Sequence, residues 1–179
     1  MPSLSDKEKH AEQMKLVRHK DTRIERLVDW ALEGEGVGGY ERNARIFEDK
    51  LVSNKKREVD FYFEEKQLAL FVHGCHWHAH QGCKRAYFEN SDVNHKKKLL
   101  GTRARDKRLM QKLHERHFRT LIVWECALPD VKSKKFRSDE ELRKMVGHEK
   151  TRLVVKKATS WIEGQKIHCE ISGDFYISS

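Results

Sequence analysis

The sequence predicts a single α/β domain, a mixed sheet flanked by helices, and three observations carry that prediction. Val59, Phe61 and Phe63 alternate with Asp60, Tyr62 and Glu64, the pattern of a half-buried strand. Leu68 to Val72 and Thr120 to Trp124 are short apolar runs of the kind that form fully buried strands. Segments with helical spacing lie before, between and after them. A length of 179 residues suits one domain over residues 1–179 with a sizeable core.

Taken in chain order, Ser5 with Glu8 and Thr22 with Glu25 each fit the S/T-x-x-E capping box, so each can start a helix. The first would belong to an N-terminal arm over residues 1–20. In the second, Ile24, Leu27, Val28, Ala31 and Leu32 recur at helical spacing, and Gly34 stands where a C-cap would be. Tyr40 to Lys50 reads as another short helix. The alternation from Val59 points Asp60 away from the phenylalanines, and a Glu-Glu-Lys-Gln turn leads into the next strand. Thr102 to Phe118 reads as a basic helix with Leu109 and Leu113 inward. An amphipathic helix from about Ser138 to Ile162 and a strand around Ile167 to Ile177 complete the layout over 138–179. Trp30 and Trp161 sit at apolar helical spacing and are assigned to the core.

Hydrophobic residues make up 37% of the chain and charged residues 36%, and no apolar stretch approaches the ~20 residues that span a bilayer. The N-terminus lacks the apolar segment of a secretion signal, so a cytoplasmic protein is expected. The formal charge is +9, and Lys84 to Arg119 alone holds twelve basic residues against four acids. Such a patch suits a partner with regularly spaced phosphates, although a solvated helix face could produce part of it.

Chemistry concentrates in V-H-G-C-H-W-H-A-H-Q-G-C, residues 72–83. Cysteines in a chain without a secretion signal favour thiolate ligation over disulfides. Cys75, His80 and Cys83 would supply three zinc ligands from one loop, and Cys126 the fourth if the third strand lies beside the second. Such a closed set would be structural, pinning a loop without a core. The alternative is buried cysteines and surface histidines. His76 and His78, two residues apart, would share one face of an extended stretch, with His73 and Asp60 read beside them. A carboxylate beside neutral imidazoles can hold Mg²⁺ and prepare water for phosphodiester hydrolysis, and the same cluster could be a second, adventitious metal site.

The stretch F-V-H-G-C-H-W-H-A-H-Q-G-C, followed by R-D-K-R (residues 105–108) and F-R-T-L-I-V-W-E-C-A-L (residues 118–128), resembles the very-short-patch repair endonucleases. The opening M-K-L-V-R-H-K-D-T-R-I-E and the helix ending in Ser160, Trp161 and Ile162 are similar to that family as well. The resemblance implies a restriction-endonuclease-like fold and a Mg²⁺-dependent nickase of double-stranded DNA, acting near a T:G mismatch and leaving a 5′-phosphate and a 3′-hydroxyl. It implies that Asp60 and the Val72 carbonyl hold Mg²⁺, that His78 prepares the attacking water, and that His73 and Glu25 support catalysis. Glu25 has a sufficient explanation in its capping box, and both roles can hold at once. Cys75, His80, Cys83 and Cys126 match the family's structural zinc ligands.

Trp77 and Met14 match wedging residues, and His76 stands where the family has Phe, a smaller and titratable ring. Trp77 also has a plain packing reading. Lys84, Arg85, Lys96, Lys97, Lys98, Arg103, Arg105, Lys107 and Arg108 would contact the DNA backbone without reading sequence. Val59 replaces a family Pro, Val72 a Thr, and His95 falls near a tryptophan position. A monomer is expected, with mismatch-repair proteins as partners by family analogy. A zinc-stapled DNA-binding module without catalysis stays open, as does a nuclease of this type turned to restriction, homing or phage functions.

Overall fold

In the computed structural model, which describes residues 21–46, 58–88, 91–131 and 138–173, the Thr22 capping box starts helix α1 (Arg23–Gly34) as the sequence predicts. Thr22 and Glu25 bond reciprocally, and Leu27, Val28 and Leu32 from its apolar stripe are fully buried. The helix stop differs by two residues. Gly34 is the last helical residue, and the left-handed turn falls at Gly36 (φ 74°), where Val37 N–H returns to the Leu32 carbonyl at 2.9 Å.

The segment read as a helix from Tyr40 instead begins as strand β1 (Glu41–Ala44). Its fold is decided by partners distant in sequence. It pairs antiparallel with β2 (Val59–Phe63), Arg42 bonds Asp29 and Asp21 of the α1 region at 3.0 and 2.6 Å, and the Tyr40 hydroxyl donates to Asp29 at 3.0 Å. β2 turns through Glu64 to Gln67, with Gln67 left-handed, into β3 (Leu68–His73), all six residues of which are buried. The Ser5 capping box, the arm with Met14, positions 47–50 of the predicted helix and positions 174–177 of the predicted strand lie outside the described residues.

Helix α2 (Val93–Glu115) starts nine residues before the predicted Thr102. Asp92 caps it by accepting the His95 N–H at 3.0 Å. Only Leu99, Leu109 and Leu113 are buried along it, which explains why apolar periodicity alone misses its first turns. β4 (Arg119–Trp124) follows.

The single C-terminal helix of the sequence reading is two. α3 (Asp139–Lys144) opens with the capping box of Ser138 and Glu141, and α4 (Glu149–Glu163) carries Val154, Val155, Ala158, Trp161 and Ile162 inward. Between them the tight turn Met145–Gly147 ends in an extended His148, whose imidazole accepts the Lys150 N–H and restarts the helix. β5 (His168–Ile171) closes the sheet.

The sheet order is β1-β2-β3-β4-β5, antiparallel through β3 and parallel from β3 to β5. Two apolar clusters cover its faces. Residues of α1, α3 and α4 pack with Leu68, Leu70, Val72, Leu121 and Val123, while α2 packs with Ala69, Phe71, Ile122 and Trp124. The mixed α/β class is therefore the one the sequence predicts.

Leu113, fully buried between α2 and the sheet, tests this layering. Leu113→Ala should lower unfolding stability by about 2–5 kcal/mol in chemical denaturation, whereas Leu100→Ala on the exposed side of the same helix should change it by less than about 0.5 kcal/mol.

Candidate active site and metal centre

Parallel pairing of β3 and β4 sets His73 beside Trp124. Two residues beyond each stand Cys75 and Cys126, both buried, so the strand register delivers two thiols to one place. The chain after β3 then turns back, with Ala79 and Gly82 left-handed (φ 47° and 71°), and returns His80 and Cys83 to the same point. Donor atoms of Cys75, His80, Cys83 and Cys126 all lie within 4.8 Å of one another, and the Cys75 and Cys126 sulfurs are each 3.5 Å from His80 Nδ1. All four cysteines are free, so the disulfide reading is set aside. Three thiols and one imidazole at this spacing could hold a zinc ion in a closed structural site. The Cys75 thiol, hydrogen-bonded to Cys126, lowers the Cys126 thiol below its ordinary value, and its own proton is held correspondingly tightly.

Three neighbours of this cluster make contacts with it that the sequence reading gives no sign of. Gly173 donates its N–H to Cys126 Sγ at 3.2 Å, and a Cβ there would collide with the Cys126 carbonyl. Glu125 accepts the Cys75 N–H at 3.1 Å. Arg85, assigned to DNA from the sequence, turns a guanidinium nitrogen to the carbonyls of Glu125 and Leu128 at 2.9 and 3.2 Å.

Asp60 sits where the β2 pattern breaks. Val59 packs with Ala69 and Phe71, whereas Phe61 and Phe63 pack in the opposite cluster, and regular β2–β3 pairing ends at Phe61 and Leu70. The strict alternation that would set Asp60 opposite the phenylalanines therefore does not extend to it. Its carboxylate instead accepts the Val72 N–H at 2.7 Å. Burial pushes the Asp60 carboxyl up to about 7, with the Glu25 charge adding to the rise and the Val72 N–H and Arg42 opposing it. Glu25 is buried and keeps its capping bonds, the Thr22 hydroxyl donating to it at 2.7 Å. Two neighbouring acids whose charges oppose each other suit a cation between them.

His73 is buried, and desolvation, followed by the nearby His78 and His80, holds it well below the usual range as a neutral imidazole. The His78 ring stacks on it, 3.8 Å between centroids and 6° from parallel. His78 Nδ1 lies 2.7 Å from Asp106 Oδ2 on α2. Asp106 is a site residue that the sequence reading passed over inside a basic helix.

His76 does not share their face. Residues 74–80 form turns, with His78 N–H bonding the Gly74 carbonyl and His80 N–H the Cys75 carbonyl, so two-residue spacing no longer implies a common side. His76 points instead to the Ala86 carbonyl (2.5 Å) and His95 Nε2 (2.9 Å). Trp77 is 37% exposed, with its ring edge-on to His76 and His95, so it packs in part on the loop and is in part open to solvent. Lys84, Lys97, Lys98, Arg103, Arg105, Lys107 and Arg108 are exposed, while Lys96 is half-buried with its ammonium over Phe88. Met14 lies outside the described residues.

Gly173→Ala should weaken the metal centre. We expect a lower melting temperature and faster zinc loss to a colorimetric chelator than in the parent protein. A second expectation concerns Asp60. Its folded value of about 7 exceeds its ordinary 3.8, so the native state holds an extra proton between those limits and loses stability as pH rises through them. Without added divalent cation, the melting temperature of the parent should fall between pH 5 and 8 relative to that of Asp60→Asn.

A sequence model of the DNA mismatch endonuclease Vsr family matches residues 3–85. The chain is 34% identical over 119 residues to the type II nicking enzyme V.XorIIP of Xanthomonas oryzae pv. oryzae, covering 66% of this chain and 80% of that protein. It is 30% identical over 129 residues to the DNA mismatch endonuclease Vsr of Escherichia coli, covering 72% of this chain and 76% of that protein. A third relative, the type II nicking enzyme V.NmeAIP of Neisseria meningitidis, is 26% identical over 113 residues. With the Cys and His cluster at the ends of β3 and β4 and a mixed sheet between helices, the chain belongs to the Vsr family of DNA mismatch endonucleases and has their restriction-endonuclease-like fold.

Proposed function

We propose that the protein is a Mg²⁺-dependent DNA nickase that hydrolyses one phosphodiester at or near a T:G mismatch, leaving a 5′-phosphate and a 3′-hydroxyl. The observation that carries this reading is the pairing of His78 with Asp106 at 2.7 Å, one ring-stack from His73 and beside the Asp60 strand end. A carboxylate on Nδ1 fixes the His78 tautomer and leaves Nε2 as the nitrogen that takes a proton from water. The stack against neutral His73 holds the ring in place. Asp60, with the Val72 carbonyl, would hold Mg²⁺, and Glu25 would add negative charge to the same site. A bound Mg²⁺ supplies positive charge for the oxygens of the phosphate as they gain electrons.

A binding module without catalysis has no use for a histidine oriented by a carboxylate, so the enzymatic reading is preferred. The Cys75, His80, Cys83 and Cys126 cluster is read as structural zinc, because all four donors come from protein and no open position remains. Exposed cations of α2 would lie along the phosphates and make binding salt-dependent. Trp77 is the wedge candidate. The bonds of His76 to Ala86 and His95 argue that it supports the loop rather than entering the duplex.

The test is nicking of a covalently closed duplex circle with one T:G mismatch, beside a matched circle, in Mg²⁺ or EDTA. Mismatch-selective nicking that disappears in EDTA and in Asp60→Ala is expected. Equal nicking of both circles would keep the nuclease and remove mismatch selectivity, and no nicking across varied metals would overturn the reading. Asp106→Asn should lower kcat by roughly 10–100-fold with DNA affinity little changed.

A further inference from the structure

A hydrogen-bonded chain runs across the α2 face of β4 and β5, and the nuclease reading does not use it. Thr120, Ile122 and Trp124 alternate onto that face of β4, and the parallel register sets His168 beside Thr120 and Glu170 beside Ile122. Cys169 and Ile171 face the opposite cluster. His114 Nε2 is 2.8 Å from Thr120 Oγ1, which is 2.7 Å from His168 Nδ1. His168 Nε2 is 3.3 Å from one Glu170 oxygen, and Trp124 Nε1–H donates to the other at 2.8 Å.

Every donor is satisfied by one arrangement of protons. His114 Nε2–H donates to Thr120, the threonine hydroxyl donates to His168 Nδ1, and His168 Nε2–H joins the indole N–H on the carboxylate. His114 is then neutral. Burial and the proximity of His168 hold His114 below its usual value, in keeping with that state. Glu170 is thus an anion with two donors, at the end of a one-way chain.

What the carboxylate holds is an indole at the junction of the two centres. The Trp124 ring lies on His80, 3.9 Å between centroids and 5° from parallel. Its other ring contact is edge-on to His73, at 5.2 Å and 76°. His80 belongs to the metal cluster, and His73 carries the stacked His78. The loop bearing His80 and His78 has no regular structure of its own, so the flat indole is the rigid surface against which His80 is set directly and His78 through His73.

We propose that Glu170, on the outer strand of the sheet, is a positioning residue for both centres, acting on His73 and His80 through Trp124. The inference rests on the zinc and nuclease readings above. Glu170 touches neither metal nor substrate. Removing its carboxylate leaves the buried indole N–H without its acceptor, and the ring must tilt or shift to find another, which moves the two imidazoles with it.

The test pairs Glu170→Leu with Glu170→Gln, Trp124→Phe and the double variant Trp124→Phe with Glu170→Leu, each reconstituted with Co²⁺ in place of zinc. Glu170→Leu should shift the cobalt absorption bands and lower kcat by roughly 10-fold at unchanged DNA affinity, with cobalt still bound one per chain. Glu170→Gln, which keeps an acceptor for the indole, should restore both readouts. In the Trp124→Phe background, which has no N–H to anchor, Glu170→Leu should add nothing further. An unshifted spectrum and unchanged kcat in Glu170→Leu, or an equal effect of Glu170→Leu with and without the indole N–H, would overturn the proposal. Should Glu170→Leu fail to fold, Glu170→Gln against Trp124→Phe decides it: a shift in Trp124→Phe that Glu170→Gln lacks supports the brace, and its absence overturns it. Because the cobalt spectrum needs no DNA, a parent protein that failed to nick would refute the nuclease reading while leaving the brace judged on spectra alone.

Discussion

The in-register parallel pairing of β3 and β4 is the constraint on which the rest of this molecule depends. It fixes His73 against Trp124, and everything chemical follows within a few residues of that pair. Two residues on, both strands deliver a thiol to the metal cluster. One residue before, the Val72 N–H meets Asp60. The two centres are therefore opposite sides of a single strand end, and a slip of one residue would turn every side chain to the wrong face. A zinc ion held by the cysteine and histidine cluster would substitute for a core that residues 74–83 cannot form, since most of them are polar, small or half-exposed.

Electrostatics at this strand end are set by opposed demands. Glu25 accepts the Thr22 N–H in the capping box that starts α1, yet its charge raises the carboxyl of Asp60. Burial keeps His73 in its uncharged form, and its flat ring face is stacked on His78. The one imidazole of that stack with a charged partner is His78, through Asp106. Acid, neutral ring and oriented ring thus differ by environment rather than by residue type.

Legibility in the sequence followed the range of the interactions. β2, β3, β4 and the start of α1 could be read because alternation, an apolar run or a capping box lies within a few residues. The ligand loop could be read because three donors fall within nine positions, and Cys126 because a buried strand precedes it. β1 could not, since its four residues take their conformation from β2 and from Arg42 bonding to Asp29 and Asp21. Asp106 was hidden among lysines and arginines and acquires meaning only when α2 lies over the loop. Gly173 and Glu170 act across 46 or 47 positions on Cys126 and Trp124, and no local pattern announces such contacts. His76 was misplaced because a period of two was applied to a segment that turns.

Helix α2, with 23 residues, is about 35 Å long, close to the rise of one turn of duplex DNA. It is anchored at its middle and end by Leu99, Leu109 and Leu113, and by Asp106 to His78, so its cations form a rigid rod rather than a mobile fringe. On the proposed nickase reading, a rod of that length fixed to His78 would act as a ruler. The distance along the duplex between the outermost gripped phosphate and the cut bond would then be a constant of the fold, independent of the sequence between them.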